Sequence, residues 1–145
     1  MNKIILLLFM ILCVSCNKEN DIESIFITNK NEYWEFHNYC YDSNTYFQLK
    51  ENGSFDAYLI SDAGFDIFNN DGDLKSGPRS WSIKNDSIFV LNKGIYKIEK
   101  VTNKEILLSY CNYELKSKKC FIKLSKWVNT SKGPKLLDEL DTIEK

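Results

Sequence analysis

Apolar and polar residues alternate along most of the chain between residues 32 and 126. Phe47 and Leu49 share one face of a strand, and Tyr96 and Ile98 alternate with charged residues in another. A period of two with polar partners indicates strands that bury one face and expose the other. The pattern predicts nine short strands, at residues 32–39, 45–50, 54–60, 65–68, 80–84, 87–92, 95–101, 105–112 and 119–126.

Clusters of Asn, Asp and Gly separate these runs, as at residues 51–53 and 85–86. Such residues accept the positive φ angles of tight hairpin turns. Consecutive antiparallel strands must protect their edges, and curling the sheet on itself is the simplest way to do so. We therefore expect an all-β fold, an antiparallel up-and-down barrel of eight or nine short strands. A two-sheet sandwich is the alternative.

The two flanks of this region have different patterns. Residues 22–31 contain three consecutive apolar side chains, so we expect this segment to pack on the barrel. After Pro134, apolar residues recur at helical spacing up to Ile143. This spacing predicts a short C-terminal helix over residues 135–143.

The N-terminal end is typical of a secretory signal. Lys3 precedes an apolar run at residues 4–12, which is too short to cross a bilayer as a helix. Val14-Ser15-Cys16 resembles the lipobox of bacterial lipoproteins, which implies cleavage before Cys16 and lipidation of its sulfur. The charged segment 17–21 resembles the tethers that carry Bacteroidetes lipoproteins to the cell surface. We expect a protein of the cell envelope, anchored to the outer membrane by this lipid.

The length and composition of the chain limit the number of domains and the kinds of ligand it can bind. A chain of 145 residues forms one domain, which we divide into a signal (1–15), a lipidated tether and lead-in (16–31), a barrel (32–127) and a tail (128–145). The net charge of -1 offers no basic excess for nucleic-acid binding. One histidine excludes a multi-histidine metal site, and we expect neither metal nor cofactor.

The order of residues from 32 to 126 resembles that of the lipocalin-like lipoproteins of Bacteroidetes, small relatives of the calycin barrels. Tyr33-Trp34-Glu35-Phe36 opens the first strand, Glu51-Asn52-Gly53-Ser54-Phe55 forms a hairpin, and Trp81-Ser82-Ile83-Lys84 follows. The resemblance implies a small calycin-type barrel.

Three cysteines remain in the body of the chain, and outside the cytoplasm thiols tend to pair. Cys40, Cys111 and Cys120 allow three single bridges. With residues 114–117 as a hairpin loop, Cys111 and Cys120 would lie opposite each other, so we predict a Cys111–Cys120 disulfide. Cys40 would then be a buried thiol or pair elsewhere.

No motif points to catalysis. His37 and Cys40 are three residues apart, which places them on opposite faces of a strand. The acidic loop 66–73 does not fit a calcium site, because Ile67 would stand in the first ligand position. Carboxylates are available at Glu32, Glu35, Asp56 and Asp66, but their spacing selects no pair.

The sequence therefore predicts a non-catalytic binding module for a small apolar ligand or another envelope component. The alternative is an immunity or inhibitor lipoprotein that binds a secreted toxin or hydrolase through the irregular stretch 61–79. A hydrolase with unrecognised carboxylates is the third hypothesis. Asp86-Ser87-Ile88 and Asp141-Thr142-Ile143 resemble O-glycosylation sites of Bacteroidetes, with Thr142 expected to be the more accessible.

Overall fold

The structure, a computed structural model, describes residues 21–68 and 79–143. The predicted signal, Cys16 and most of the tether lie outside these residues. The elements in chain order are α1 (Ile22–Phe26), β1 (Glu32–Asn38), β2 (Ser43–Leu49), β3 (Phe55–Ser61), β4 (Gly64–Ile67), β5 (Trp81–Lys84), β6 (Ile88–Leu91), β7 (Gly94–Val101), β8 (Glu105–Asn112), β9 (Lys118–Thr130), β10 (Gly133–Leu136) and α2 (Leu137–Ile143).

Nine of the strands form one antiparallel sheet that curls into a half-barrel, in the order β4-β3-β2-β1-β9-β8-β7-β6-β5. Neighbours in the chain pair as hairpins, except that β4 and β5 lie at the two ends of the sheet. The first strand pairs with the ninth, with Tyr33 opposite Trp127. A bridge between Ser54 and Ser80 brings the start of β3 beside the start of β5. The predicted all-β, up-and-down architecture is confirmed.

The concave face of the sheet contains the core, because alternate residues of each strand point into it. The most deeply buried side chains are Trp34, Leu49, Phe89, Ile106, Leu108, Ile122 and Leu124. Full burial of one such side chain stabilises the fold by roughly 1.5–3 kcal/mol. The turns agree with the sequence, since Gly53 in the first predicted hairpin turn has a φ of 76°.

Helix α1 closes the end of the half-barrel where β1 begins. The Asp21 side chain caps the helix by accepting a hydrogen bond from the Glu23 amide at 3.2 Å. Phe26 is fully buried, and its ring stacks on that of Phe89 with centroids 4.9 Å apart. The indole Nε1 of Trp34 donates to the Phe26 carbonyl at 2.8 Å. The expectation that residues 22–31 pack on the body is confirmed.

The C-terminal segment differs from its prediction. β9 continues to Thr130, and β10 then pairs with it, with Leu136 opposite Trp127. Pro134 lies in this four-residue strand rather than at a helix start. Among the described strands β10 pairs with β9 alone, which agrees with the preference of proline for edge strands. The helix begins at Leu137 instead of residue 135.

The predicted disulfide is wrong. Cys40 bonds to Cys120, with Cα atoms 5.8 Å apart, and Cys111 is an exposed free thiol. In the β8–β9 ladder Cys111 lies opposite Lys119, and Cys120 lies opposite Tyr110. Because successive residues of a strand point to opposite faces, Cys111 faces outward while Cys120 faces the core.

Candidate functional site

A pocket of about 380 Å³ opens into the concave side of the sheet. Aromatic side chains from three strands form its walls: Phe36 on β1, Phe47 on β2 and Phe55 on β3. Phe47 meets Phe36 and Phe55 edge to face, with ring centroids 5.6 and 5.4 Å apart. These contacts hold the walls in fixed positions, so the pocket presents a preformed apolar surface.

Sheet register explains why the pocket exists at this place. Phe47 pairs with Ala57 across β2 and β3, and Phe36 pairs with Thr45 across β1 and β2. Ala57 and Thr45 are small residues opposite large ones, and both line the pocket. Their short side chains leave the space that two further aromatic rings would fill.

Polar groups complete the lining of the pocket. They are the side chains of Thr45, Arg79, Asn92 and Tyr96. Arg79 Nη2 donates to the Phe68 carbonyl at 3.5 Å, which holds two residues of the lining beside each other. The Asn92 side-chain oxygen accepts from the Ser80 amide at 3.1 Å, which fixes this side chain beside the start of β5.

Tyr96 forms the wall between the pocket and the core. Its ring lies 5.8 Å from that of Phe36 and 6.1 Å from that of Phe89. Burial raises the pKa of the Tyr96 hydroxyl, and the nearby Tyr110 hydroxyl raises it further. Tyr96 therefore keeps its proton at neutral pH and can donate a hydrogen bond.

A second cluster of aromatic residues lies on the convex face and surrounds Glu35. This carboxylate accepts from Trp127 Nε1 at 2.9 Å, from Asn44 Nδ2 at 3.1 Å and from the Tyr46 hydroxyl at 3.4 Å. Burial, and then the charge and hydrogen bond of Glu35, raise the pKa of Tyr46 to about 12. Glu35 thus accepts three side-chain hydrogen bonds, which link β1 to β2 and β9 on the convex face.

The other three carboxylates considered from the sequence lie in different surroundings. Asp56 pairs with Lys50 at 2.6 Å, and Glu32 lies 3.8 Å from the buried Lys126. Asp66 lies on β4, opposite Leu59 of β3.

The other site residues predicted from the sequence lie at separate places in the fold. His37 on β1 is hydrogen-bonded through Nδ1 to Asn44, and its former partner candidate Cys40 is in the disulfide. Ser87 lies in the exposed turn between β5 and β6, and Thr142 lies on α2. The acidic loop 66–73 extends beyond the described residues.

Exposed tyrosines crowd the end of the half-barrel opposite α1. Tyr39, Tyr41 and Tyr113 are 56%, 51% and 84% exposed, and we call them the tyrosine tip. The Cys40–Cys120 bond joins the turn that carries Tyr39 and Tyr41 to strand β9, which follows the turn that carries Tyr113. Asn112 Nδ2 donates to the Tyr41 hydroxyl at 2.6 Å. These two links hold the turn of Tyr39 and Tyr41 against strands β8 and β9. The alternation of apolar and polar residues did not reveal this group, although Tyr39 and Tyr41 flank a cysteine in a turn.

Within residues 21–68 and 79–143, neither helix has the length and apolar character needed to span a membrane. In the same part of the chain, no group of three His, Cys, Asp or Glu side chains is arranged to hold a metal ion. Comparison with models of protein families, with curated proteins and with solved structures finds no match to this chain. Function therefore has to be inferred from the fold and the pocket.

Proposed function

We propose that this protein is a lipid-anchored envelope protein whose half-barrel is a non-catalytic binding module for a small apolar ligand. The pocket on the concave face is the observation that carries this proposal. Its volume of about 380 Å³ lies within the range of about 300–1,000 Å³ that is usual for small-molecule sites.

The chemistry of the lining supports an apolar ligand. Six of the ten described lining residues are apolar, and they include Phe36, Phe47, Phe55 and Ala57. Such a surface gains free energy when a ligand displaces its water, at about 25 cal/mol per Å² of apolar area buried. The polar groups would orient the ligand rather than supply most of the affinity.

Binding of N-phenyl-1-naphthylamine, a neutral dye that fluoresces in apolar surroundings, tests the pocket. The wild-type protein is expected to bind the dye saturably, and Thr45→Phe is expected to weaken binding at least about tenfold, because the added ring occupies the pocket. Lys84→Phe adds the same ring at an exposed position outside the lining and should leave binding unchanged. Equal dye binding by the two variants would show that the dye does not bind in this pocket and would contradict the proposal.

The anchor is tested separately from the pocket. Lipidation at Cys16 predicts that the mature protein partitions with membranes and that its N-terminal peptide carries acyl chains. Cys16→Ala should release the protein or leave its precursor uncleaved, while Cys13→Ala should not. Mass spectrometry of the N-terminal peptide shows which cysteine is modified, and unmodified Cys16 in a processed protein contradicts the anchor.

The tyrosine tip favours a second candidate, an immunity or inhibitor protein that binds a secreted toxin or hydrolase. Tyrosine rings offer large contact areas at low entropic cost, and they are common in rigid protein-binding surfaces. Co-expression with the product of an adjacent gene for a secreted toxin or hydrolase tests this function. Tyr113→Ala should weaken a complex held by the tip, and Ile95→Ala, at a similarly exposed site on β7, should not.

A further inference from the structure

Charge is distributed unevenly between the two sides of the sheet. Strands β1 to β4 and their turns, residues 32–67, contain seven acidic residues and one lysine, a net charge of -6. Strands β7 to β9 and their turns, residues 94–130, contain eight lysines and three glutamates, a net charge of +5. The whole chain has a net charge of -1, so this basic excess is local. A local excess of this kind attracts acidic partners although the whole protein does not.

The register of β7 to β9 gathers four of these lysines on the convex face. Residues that lie opposite each other in antiparallel strands share a face of the sheet. Two rows cross the three strands in this way, with Lys97, Ser109 and Phe121 in one, and Lys100, Leu107 and Lys123 in the next. Lys119 lies two residues before Phe121 on β9 and therefore points to the same side. We call Lys97, Lys100, Lys119, Phe121 and Lys123 the basic face.

Two glutamates hold lysines of the basic face in position. Glu99 lies 3.3 Å from the ammonium of Lys97 and 3.0 Å from that of Lys119. Glu105 lies 2.9 Å from the ammonium of Lys123. Two carboxylates thus contact a face that contains four lysines, so its positive charge is only partly neutralised.

An exposed aromatic ring lies among these lysines. Phe121 is 38% exposed, and the Lys119 ammonium lies 5.0 Å from the centre of its ring. The exposed Tyr39 lies beside Phe121, because the Tyr39 amide donates to the Phe121 carbonyl at 3.2 Å. The basic face is therefore continuous with the tyrosine tip. Aromatic rings contribute much of the binding energy in protein interfaces.

We propose that the basic face, together with the adjoining tyrosine tip, binds an acidic protein surface. This inference rests on the second candidate function, because it names the chemistry of the partner, and it does not depend on the pocket. Opposite charges across an interface speed association and exclude partners of the wrong sign. The acidic side of the sheet repels a long polyanion or an anionic membrane, whereas a compact protein surface can match the basic face alone.

Short peptides of defined charge test this preference. Fluorescent peptides with repeats of Glu-Glu-Tyr, Glu-Glu-Ser or Lys-Lys-Tyr are titrated with the protein at neutral pH and low salt, and their anisotropy is measured. The Glu-Glu-Tyr peptide is expected to bind saturably and about tenfold more tightly than the Lys-Lys-Tyr peptide. The Glu-Glu-Ser peptide should bind about threefold more weakly than the Glu-Glu-Tyr peptide, because it lacks aromatic rings. Added salt should weaken both acidic peptides.

Matched charge variants locate the binding surface. Lys100→Glu combined with Lys119→Glu reverses two charges of the basic face and should weaken the Glu-Glu-Tyr peptide about tenfold or more. Lys30→Glu combined with Lys84→Glu makes the same change in net charge at exposed positions outside this face, and should change binding less than about twofold. Circular dichroism checks that each variant folds. Lys100→Gln combined with Lys119→Gln removes the charges without reversing them and should weaken binding in the same direction.

The outcomes distinguish this inference from the second candidate function. Absence of saturable binding by the Glu-Glu-Tyr peptide, or equal losses in the two Lys→Glu pairs, overturns the acidic partner. A complex with the adjacent toxin or hydrolase that is unchanged in the variant of the basic face keeps the second candidate function and overturns this inference. Binding of the acidic peptide at this face without any such complex does the reverse.

Other occupants of the basic face give different results. Tighter binding of oligothymidylate or of phosphatidylglycerol vesicles than of the Glu-Glu-Tyr peptide would assign the face to a nucleic acid or a membrane, and would overturn the proposal. Salt-sensitive self-association of the wild-type protein in analytical ultracentrifugation would assign it to the acidic side of a second copy, with the same consequence. The expected result is a monomer that binds the acidic peptide most tightly.

Discussion

Reduction of the Cys40–Cys120 disulfide is expected to destabilise the protein strongly. The bond links residues that are 80 positions apart in the chain, so it closes a long loop in the unfolded state. On the chain-entropy model such a loop corresponds to about 4.5 kcal/mol of stabilisation. The total stability of a domain is typically about 5–15 kcal/mol, so the loss is a large fraction of it.

Urea denaturation of the wild-type protein with and without reductant measures this loss. The reduced protein should unfold at lower urea, with a steeper dependence on urea because its unfolded chain is more expanded. Cys111→Ala serves as the control, because Cys111 is exposed and outside the bond, and its stability should stay within about 0.5 kcal/mol of the wild type. A change of less than about 1 kcal/mol on reduction, or a bridge to Cys111 in peptide mapping, refutes the reasoning.

Three further changes test the packing. Phe26→Ala should lower the free energy of unfolding, measured by urea denaturation, by about 3–5 kcal/mol because its ring is fully buried. Phe121→Ala, at a partly exposed site, should lower it far less. Equal losses of stability in the two variants would contradict the role of α1. Because the pKa of Tyr46 is raised to about 12 in the folded protein, its protonated hydroxyl contributes about 3 kcal/mol of stability below pH 10, and this contribution is lost as the pH rises towards about 12. Tyr46→Phe should therefore flatten the decline of stability in this pH range. An unchanged decline in the variant would contradict the role given to Tyr46. Lys126→Met keeps the aliphatic stem but removes the ammonium that lies 4.7 Å from the Trp34 ring, so a loss of about 1 kcal/mol is expected, and no loss would mean that the cation–π contact contributes nothing.

The strands were predictable because their signals are local. Alternation of side chains and turn residues such as Asn52-Gly53 and Asn85-Asp86 mark where each strand starts and ends. The up-and-down order followed from short connections, since consecutive strands joined by tight turns pair as hairpins. The expected helix started too early because Pro134 is equally acceptable at a helix start and in an edge strand.

The disulfide was not predictable, because it depends on a shift of one residue. A loop over residues 114–117 would place Cys111 opposite Cys120, but the observed pairing of Asn112 with Lys118 leaves a loop of residues 113–117. Lys116 and Ser117 take positive φ angles of 55° and 59° in this loop. Neither residue type signals that conformation in the sequence, whereas Gly or Asn would have done so.

The pocket was only partly predictable. Alternation correctly assigned Phe47 and Tyr96 to buried faces, but which buried faces meet across the half-barrel depends on its curvature. Arg79 and Asn92 reach the lining from positions next to strands, where no periodic pattern applies.

The pairing of β1 with β9 also determines when the sheet can finish folding during synthesis of the chain. Trp127 on β9 donates to Glu35 on β1, a residue made 92 positions earlier. During synthesis, the edge of β1 that pairs with β9 therefore lacks its hydrogen-bonding partner until β9 has been made. Hairpins such as β2–β3 and β6–β7 can assemble meanwhile, but such distant partners make final assembly slow and leave an edge open to wrong neighbours. Protection of that early edge by a chaperone would shield the newborn chain during this interval.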